Sequence, residues 1–343
     1  MIINKISIDP FFLSFKSKYL SSKSLFLNRS GWIIRIYSEN MVGIGEASPL
    51  INFSDEGYEQ AGYGLEGFKL AVCRDENLSL DELLNYCDAH GELQPSVKFA
   101  LETAVYDLES KLSSKPLNIF LNKNAYPIVQ TNYVEGNSVP LESKFCMKIK
   151  IGHRNIFDEI EYIESIIKDN QNVKLRLDFN ESYDLTKAIR FCKMLDGYPI
   201  DYLEQPIDKN NLEDLSELRF HTDIPIALDE SVRDIDSVYK IIENQSADVL
   251  VIKPMISGGF RQTKKIIDIA RKEGLRVNIG SLLESGVGRR ACLHMASAYK
   301  IDEECGLSTG DLFVNDICSF PDIINGLCDV SGESGIGEKN VTL

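Results

Sequence analysis

Paired cysteines, histidine clusters and excess positive charge are what this sequence lacks, and each absence argues against a class of function. Its eight cysteines, Cys73, Cys87, Cys146, Cys192, Cys292, Cys305, Cys318 and Cys328, are scattered, with no C-x-x-C pair and no ligand-like spacing to the four histidines. That pattern argues against a disulfide framework or a zinc site and points to reduced cytosolic thiols. A net charge of -15 leaves no basic footprint for nucleic acid or an anionic membrane. A buried metal and a few lysines can still present positive charge locally to an anionic small molecule. No run approaches the roughly 18 apolar residues that span a bilayer, and residues 1–10 alternate like a strand without the apolar core of a signal peptide. The expectation is a cytoplasmic protein with no nucleic-acid and no membrane partner; nothing in the sequence sets an oligomeric state. No G-x-G-x-x-G follows a strand-like run, so a dinucleotide-binding sheet has no support.

What is present suits a globular enzyme. The 343 residues are 43% hydrophobic and 26% charged, and their number accommodates a barrel of about 200 to 250 residues plus a smaller module. Residues 2–8 alternate, residues 32–37 are rich in β-branched and aromatic side chains, and residues 42–46 form a return run, so the chain opens as antiparallel β structure. Residues 16–31, polar and Ser/Lys-rich, read as a loop that can cover an active site. Helices are expected from the Ser54-Asp55-Glu56 cap to about residue 75, after Ser79, and from Ser96 through Leu112. From Tyr126 the rhythm changes. Strands at 127–134, 144–151, 173–178, 200–204, 224–229, 249–253 and 275–280, with a weaker one near 305–308, alternate with six helices. Eight strands with intervening helices favour an α/β fold closed as a (β/α)8-type barrel over an open sheet. The expected domains are an α+β capping domain over 1–125, completed by the C-terminal tail at 325–343, and a catalytic barrel over 126–324.

The strand ends carry the chemistry. Lys148 and Lys150 sit in Phe-Cys-Met-Lys-Ile-Lys-Ile and share one face of a strand. They are followed by Asp178 in Leu-Arg-Leu-Asp-Phe-Asn, Glu204 in Tyr-Leu-Glu-Gln-Pro, Asp229 in Ala-Leu-Asp-Glu-Ser and Lys253 in Val-Ile-Lys-Pro, at gaps of 28, 26, 25 and 24 residues from Lys150. Each gap is one βα unit, so these side chains converge at the C-terminal mouth. Taken singly, each carboxylate is equally well a helix cap or a surface ion pair. Three converging between lysines would repel one another unless a hard divalent cation joined them, with about three coordination positions left for water and substrate. A lysine beside other cations and a metal in a dry site is expected to lose pKa and serve as a general base. The reaction class is proton abstraction next to a carboxylate, with the enediolate stabilised electrostatically. Arg176, on the same face as Asp178, either orients carboxylates or lies near the substrate.

The ordered set K-x-K, D-x-N, E-Q-P, D-E-S and K-P on an α+β module followed by a barrel resembles the enolase superfamily, in its muconate-lactonizing-enzyme-like subgroup. The resemblance implies magnesium, or manganese in its place, on Asp178, Glu204 and Asp229, with Lys150 and Lys253 on opposite sides of a small carboxylate substrate. Lys148, Asn180 and Glu230 would support the site. The segments Gly45–Leu50, Gly280–Ser285 and Gly306–Asn315 resemble the o-succinylbenzoate synthase family. That likeness implies a lyase in which Lys150 removes the α proton and protonates the departing hydroxyl of 2-succinyl-6-hydroxy-2,4-cyclohexadiene-1-carboxylate, in menaquinone or phylloquinone biosynthesis. Lys253 would stay charged, and Gly280, Ser281 and Thr309 would line the substrate. Arg289 and Arg290 stand where the likeness leads to small or apolar residues. The alternatives are an N-acylamino acid racemase or dipeptide epimerase on the same machinery, and a non-catalytic binding barrel. Dipeptide epimerases of this family usually carry Asp-x-Asp on the last barrel strand, where this chain has Leu307-Ser308-Thr309-Gly310.

Overall fold

The computed structural model describes residues 1–20, 25–72, 77–135, 144–330, 332–337 and 341–342. The N-terminal half begins with β1 (Lys5–Leu20), β2 (Leu25–Ser38) and β3 (Met41–Ala47), an antiparallel sheet in that order. The loop expected over 16–31 is therefore corrected. Apart from residues 21–24, which lie outside the described residues, it is strand. Phe11, Leu13 and Phe15 point inward between exposed neighbours just before it, and within it Phe26 and Arg29 are buried on the return strand among exposed and polar residues, which hid the strand pattern.

Two helices cover this sheet, α1 (Tyr58–Ala71) and α3 (Pro95–Leu112), with α2 (Leu80–Gly91) packed on them and a short α4 (Leu117–Leu121) following. Ser79 caps α2 through Glu82 N as expected, and Pro95 opens α3 where its missing N–H costs nothing. Ser54 does not cap α1. Its hydroxyl accepts from Leu50 N at 3.0 Å, and Gly57 holds the cap position instead. α3 lies directly on the sheet because β3 presents glycines there: a Cβ at Gly43 or Gly45 would come within 2.0 Å of Ala104 O or 1.9 Å of Ala100 O.

The second half is built on β4 (Ile128–Gln130), β5 (Tyr133–Val134), β6 (Phe145–Lys150), β7 (Val173–Asp178), β8 (Ile200–Glu204), β9 (Ile226–Leu228), β10 (Val249–Ile252) and β11 (Arg276–Ile279). β5 to β11 form one seven-stranded sheet in sequence order, parallel throughout. Helices α5 (Ile156–Asp169), α6 (Leu185–Met194), α7 (Leu212–Arg219) and α8 (Ile235–Glu243) return the chain between strands, followed by α9 (Pro254–Ser257), α10 (Gly259–Lys272) and α11 (Gly286–Ala298). The other expected strands and helices recur here with ends moved by a residue or two, but the strand expected over 127–134 is split: β4 pairs antiparallel with Leu327–Asp329 and only β5 joins the parallel sheet. The weak strand near 305–308 is reduced to two parallel bridges, Thr131 to Cys305 and Gly280 to Gly306, which reach the first and last parts of the sheet. The result is an α/β fold with a curved parallel sheet and an N-terminal module.

The C-terminal tail returns to that module. Asp107 of α3, fully buried, accepts from Ile44 N at 2.9 Å and Lys111 Nζ at 2.7 Å, and its second oxygen accepts from Ile336 N at 2.7 Å. His294 of α11 is fixed between the two halves. Its Nδ1 accepts from Asn118 N at 3.1 Å and its other nitrogen faces Ile336 O. Arg289 and Arg290 are buried here too. Arg289 pairs with Asp316 at 2.7 Å and stacks on Phe320, while Arg290 donates to the carbonyls of Ser319 and Ile336. The two arginines tie α11 to the tail and do not line the cavity described below.

Candidate active site

Parallel register sets the site. Lys150 lies beside Asp178, and Asp178 beside Glu204, each at the last position of its strand. Asp229, Lys253 and Gly280 follow one residue after β9, β10 and β11. These residues, with Lys148, Asn180, Ser281 and Thr309, line one cavity of about 430 Å³. Helix capping is done by other side chains: Asn155, Asp184, Asn211, Asp234 and Ser285 cap the helices after β6, β7, β8, β9 and β11. Asp178, Glu204 and Asp229 are thereby left for the cavity, although each is at most 4% exposed.

Lysines hold the carboxylates in place. Lys148 Nζ lies 2.7 Å from Glu204 and 3.0 Å from Asp178, Lys150 Nζ lies 3.0 Å from Asp178, and Lys253 Nζ pairs with Asp229. Lys253 Nζ also sits 4.4 Å over the Phe53 ring. Burial opposes charge on Lys148 and Lys253, but the facing carboxylates outweigh it and hold both above the ordinary lysine range. The lowered lysine pKa expected from sequence is thus not supplied by the protein for these two: three carboxylates, not cations, dominate the local field. Burial pushes Asp178 up, and Lys148 and Lys150 more than reverse this; Glu204 is pushed up by burial and by its acidic neighbours, with Lys148 opposing.

Two of the expected residues lie off the cavity wall. Glu230 stands behind Asn180, whose amide donates to it at 2.9 Å, and its second oxygen is buried without a partner. Burial first, then Asp229 and Asp178, raise its pKa to about 8. Arg176 points toward the N-terminal ends of the strands. It pairs with Asp201 at 2.8 Å and Glu304 at 2.9 Å and is wholly buried, a geometry that favours orienting carboxylates over touching substrate.

The two ends of the sheet differ in how negative charge is satisfied. At the N-terminal end, Cys146, Asp201 and Glu304 converge, but Arg176, Arg276 and Lys174 pair with those carboxylates. At the C-terminal end, single lysine ammoniums bridge Asp178, Glu204 and Asp229, and a Glu230 oxygen is orphaned. Asp178 Oδ1 also accepts from Asn180 N at 3.1 Å, and the other carboxylate oxygens, hard, buried and faced by flexible ammoniums, are the donor set a divalent cation takes. The residues present fit such an ion.

Several lining residues were missed from sequence. Tyr202 and Asn278 line the cavity, and their parity with Glu204 and Gly280 was the available signal. Gln205, within Glu-Gln-Pro, accepts from Asp229 N at 3.1 Å and Ser231 N at 3.2 Å and so fixes the Asp229 backbone. Ser17 and Phe26, from the hairpin, gave no signal at all.

Comparison with known proteins follows the same geometry. Residues 6–108 match the family model "MenC, N-terminal domain". A D-Ala-D/L-Ala epimerase of Cytophaga hutchinsonii is 26% identical over 322 residues, 88% of this chain and 85% of that one. An N-succinylamino acid racemase of Thermus thermophilus is 27% identical over 300 residues, 83% and 80% of the two chains. Both relatives are enzymes. The solved L-Ala-D/L-Glu epimerase of Bacillus subtilis superposes with a TM-score of 0.90 at 24% identity, covering 100% of each chain, which shows a shared fold. Among the described residues, no helix is long and apolar enough to cross a membrane. Residues 145–339, which contain β6 to β11 and the charged groups at their ends, match the family model "Enolase C-terminal domain-like", and with more than half its length so matched the chain belongs to the enolase superfamily.

Proposed function

We propose that this protein is an o-succinylbenzoate synthase, a lyase that dehydrates 2-succinyl-6-hydroxy-2,4-cyclohexadiene-1-carboxylate to 2-succinylbenzoate with magnesium, in menaquinone or phylloquinone biosynthesis. The observation that carries the choice of substrate is the far end of the cavity. After the last bridge the wall is Thr309, and Asp311 is absent from the lining. Apart from the strand-end acids the only carboxylate on the described wall is the exposed Glu135, so a dipeptide ammonium finds no buried counter-charge. The match of residues 6–108 to the MenC N-terminal domain supports the same reading.

In this reading Asp178, Glu204 and Asp229 hold the cation, and Lys148 faces the substrate carboxylate. When bound, the cation supplies positive charge that stabilises the enediolate. Lys150 Nζ accepts the proton as the ring C–H bond breaks. The enediolate then expels the ring hydroxyl, which takes that proton from Lys150 and leaves as water, and the electron pair completes the aromatic ring. Lys253, held charged by Asp229 and packed on Phe53, balances the developing negative charge from the other face. Residues 1–125 with 325–343 form the cap and 126–324 the catalytic unit; the bridges to Cys305 and Gly306 support closure as a (β/α)8-type barrel.

The second reading is an N-succinylamino acid racemase or dipeptide epimerase, in which Lys150 and Lys253 both act as bases. It is favoured by the activities of the relatives, and the Enterococcus faecalis dipeptide epimerase was solved with Mg and L-Leu-L-Tyr. Turnover of the cyclohexadiene with magnesium, followed by the rise of the aromatic product, tests the first reading. Failure there, with solvent deuterium entering the α-carbon of acylamino acids or dipeptides, would replace it with the second.

A further inference from the structure

Three separate segments form the distal wall of the cavity, and one side chain touches all of them. Ser17 and Phe26 come from the β1–β2 hairpin, Leu50 and Phe53 from the turn after β3, and Leu282 and Leu283 from the loop after β11. Arg29, on β2 opposite Leu13, is 2% exposed and lies between them. Its Nε donates to Leu283 O at 3.1 Å, and one terminal nitrogen donates to Pro49 O at 2.9 Å and Ser30 O at 3.4 Å. The other terminal nitrogen donates to Leu282 O at 3.2 Å, to Ser48 O and to Ser48 Oγ. The planar fork of five N–H groups is thus directed to all three segments.

The loop after β11 needs such support. Leu283 has φ +63, a left-handed conformation that a leucine adopts only when its surroundings impose it. Two buried acids complete the arrangement. Glu284 accepts from Leu282 N at 2.8 Å and from the Ser281 hydroxyl, which in turn accepts from Thr309 at 3.0 Å. Glu46 accepts from Ser285 N at 3.0 Å, Gly288 N at 2.9 Å and the hydroxyls of Ser48 and Ser285. Burial lowers the Arg29 guanidinium to about 10 while Glu46 and Glu284 raise it, so it remains charged at neutral pH.

We propose that Arg29 is a positioning residue for substrate recognition. It locks the hairpin, the 48–53 turn and the 280–285 loop against one another, and so sets the shape of the apolar wall that receives the body of a carboxylate substrate. It touches no strand-end lysine or acid, so its effect is on fit and not on proton transfer. The inference rests on the carboxylate-substrate reading for its functional consequence, but the lock itself does not.

Native-state hydrogen exchange on the unaltered chain tests the lock without substrate. Amides of the Arg29 strand, of Leu50 and of Ser285 are expected to open as one unit with a common denaturant dependence; three independent openings would overturn the proposal. Arg29→Lys then keeps the charge with three donors in place of five. Its KM is expected to rise about tenfold or more with kcat within about threefold of the parent, and its magnesium affinity by calorimetry to be unchanged. An unchanged KM, or a loss shared by kcat and magnesium affinity, would overturn the functional claim. If the parent turns over none of the substrates named above, the substrate reading fails and exchange alone decides the lock, as it also does if Arg29→Lys does not fold.

Discussion

His294 makes the stability of this protein depend on pH in a way that can be worked out from its surroundings. The ring is 1% exposed, its Nδ1 accepts from Asn118 N, and burial, with Arg290 adding to it, lowers its pKa from 6.5 to about 4 despite the favourable Ile336 carbonyl. A second ring proton would have to enter on Nδ1, against the Asn118 N–H. The unfolded chain binds that proton near pH 6.5 and the folded chain only near 4. The contribution is therefore complete above about pH 6.5 and is lost as pH falls toward 4. At about 1.4 kcal/mol per unit, the shift corresponds to about 3 kcal/mol. That is a large share of a typical folding free energy of about 5 to 15 kcal/mol. Urea unfolding of the parent and of His294→Gln across pH 7.5 to 4.5 measures it. The variant is less stable by a constant offset at neutral pH, and the gap between the two narrows as the pH falls. Parallel curves over the whole range would refute the reasoning, because groups other than His294 titrate alike in both proteins.

Other outcomes follow from the site and its supports. Lys150→Ala abolishes turnover while circular dichroism and magnesium binding persist; retained turnover would sink the assignment of the base. Asp229→Asn keeps the Gln205 bond to the Asp229 backbone but removes one anionic donor, so magnesium affinity falls about tenfold or more by calorimetry. Arg176→Met removes the buried cation from Asp201 and Glu304, which keep Arg276 and Lys174, and costs about 1.5 to 3 kcal/mol in urea unfolding. If Arg176 contacted substrate instead, that variant would keep its stability and raise KM.

Much of the second half of the chain could be read from sequence because its determinants are local. The strands Ile226–Leu228 and Val249–Ile252 are apolar throughout and give way at once to Asp229 and Lys253, since a strand buried on both faces carries its polar residues at its ends. Six apolar-periodic helices between such runs leave little topological freedom. The hairpin was illegible for the opposite reason. Arg29 reads as a surface residue in a polar stretch, and its burial is decided by carbonyls of Leu282 and Leu283, more than 250 positions away. The raised lysine pKa values were missed similarly: the sequence shows that lysines and acids converge, but which charge dominates at Lys148 depends on distances of 2.7 and 3.0 Å that spacing does not supply.

The return of the tail to α3 has a consequence for how the molecule is made. On a ribosome the N-terminal module emerges first, yet one oxygen of Asp107 waits 229 residues for the amide of Ile336. Until that amide arrives, one oxygen of this buried carboxylate lacks its partner, while the other already accepts from Ile44 N and Lys111 Nζ. The first part synthesised is therefore the last to be finished, and a nascent chain stalled before Ile336 would carry a complete parallel sheet beside an N-terminal module that still breathes.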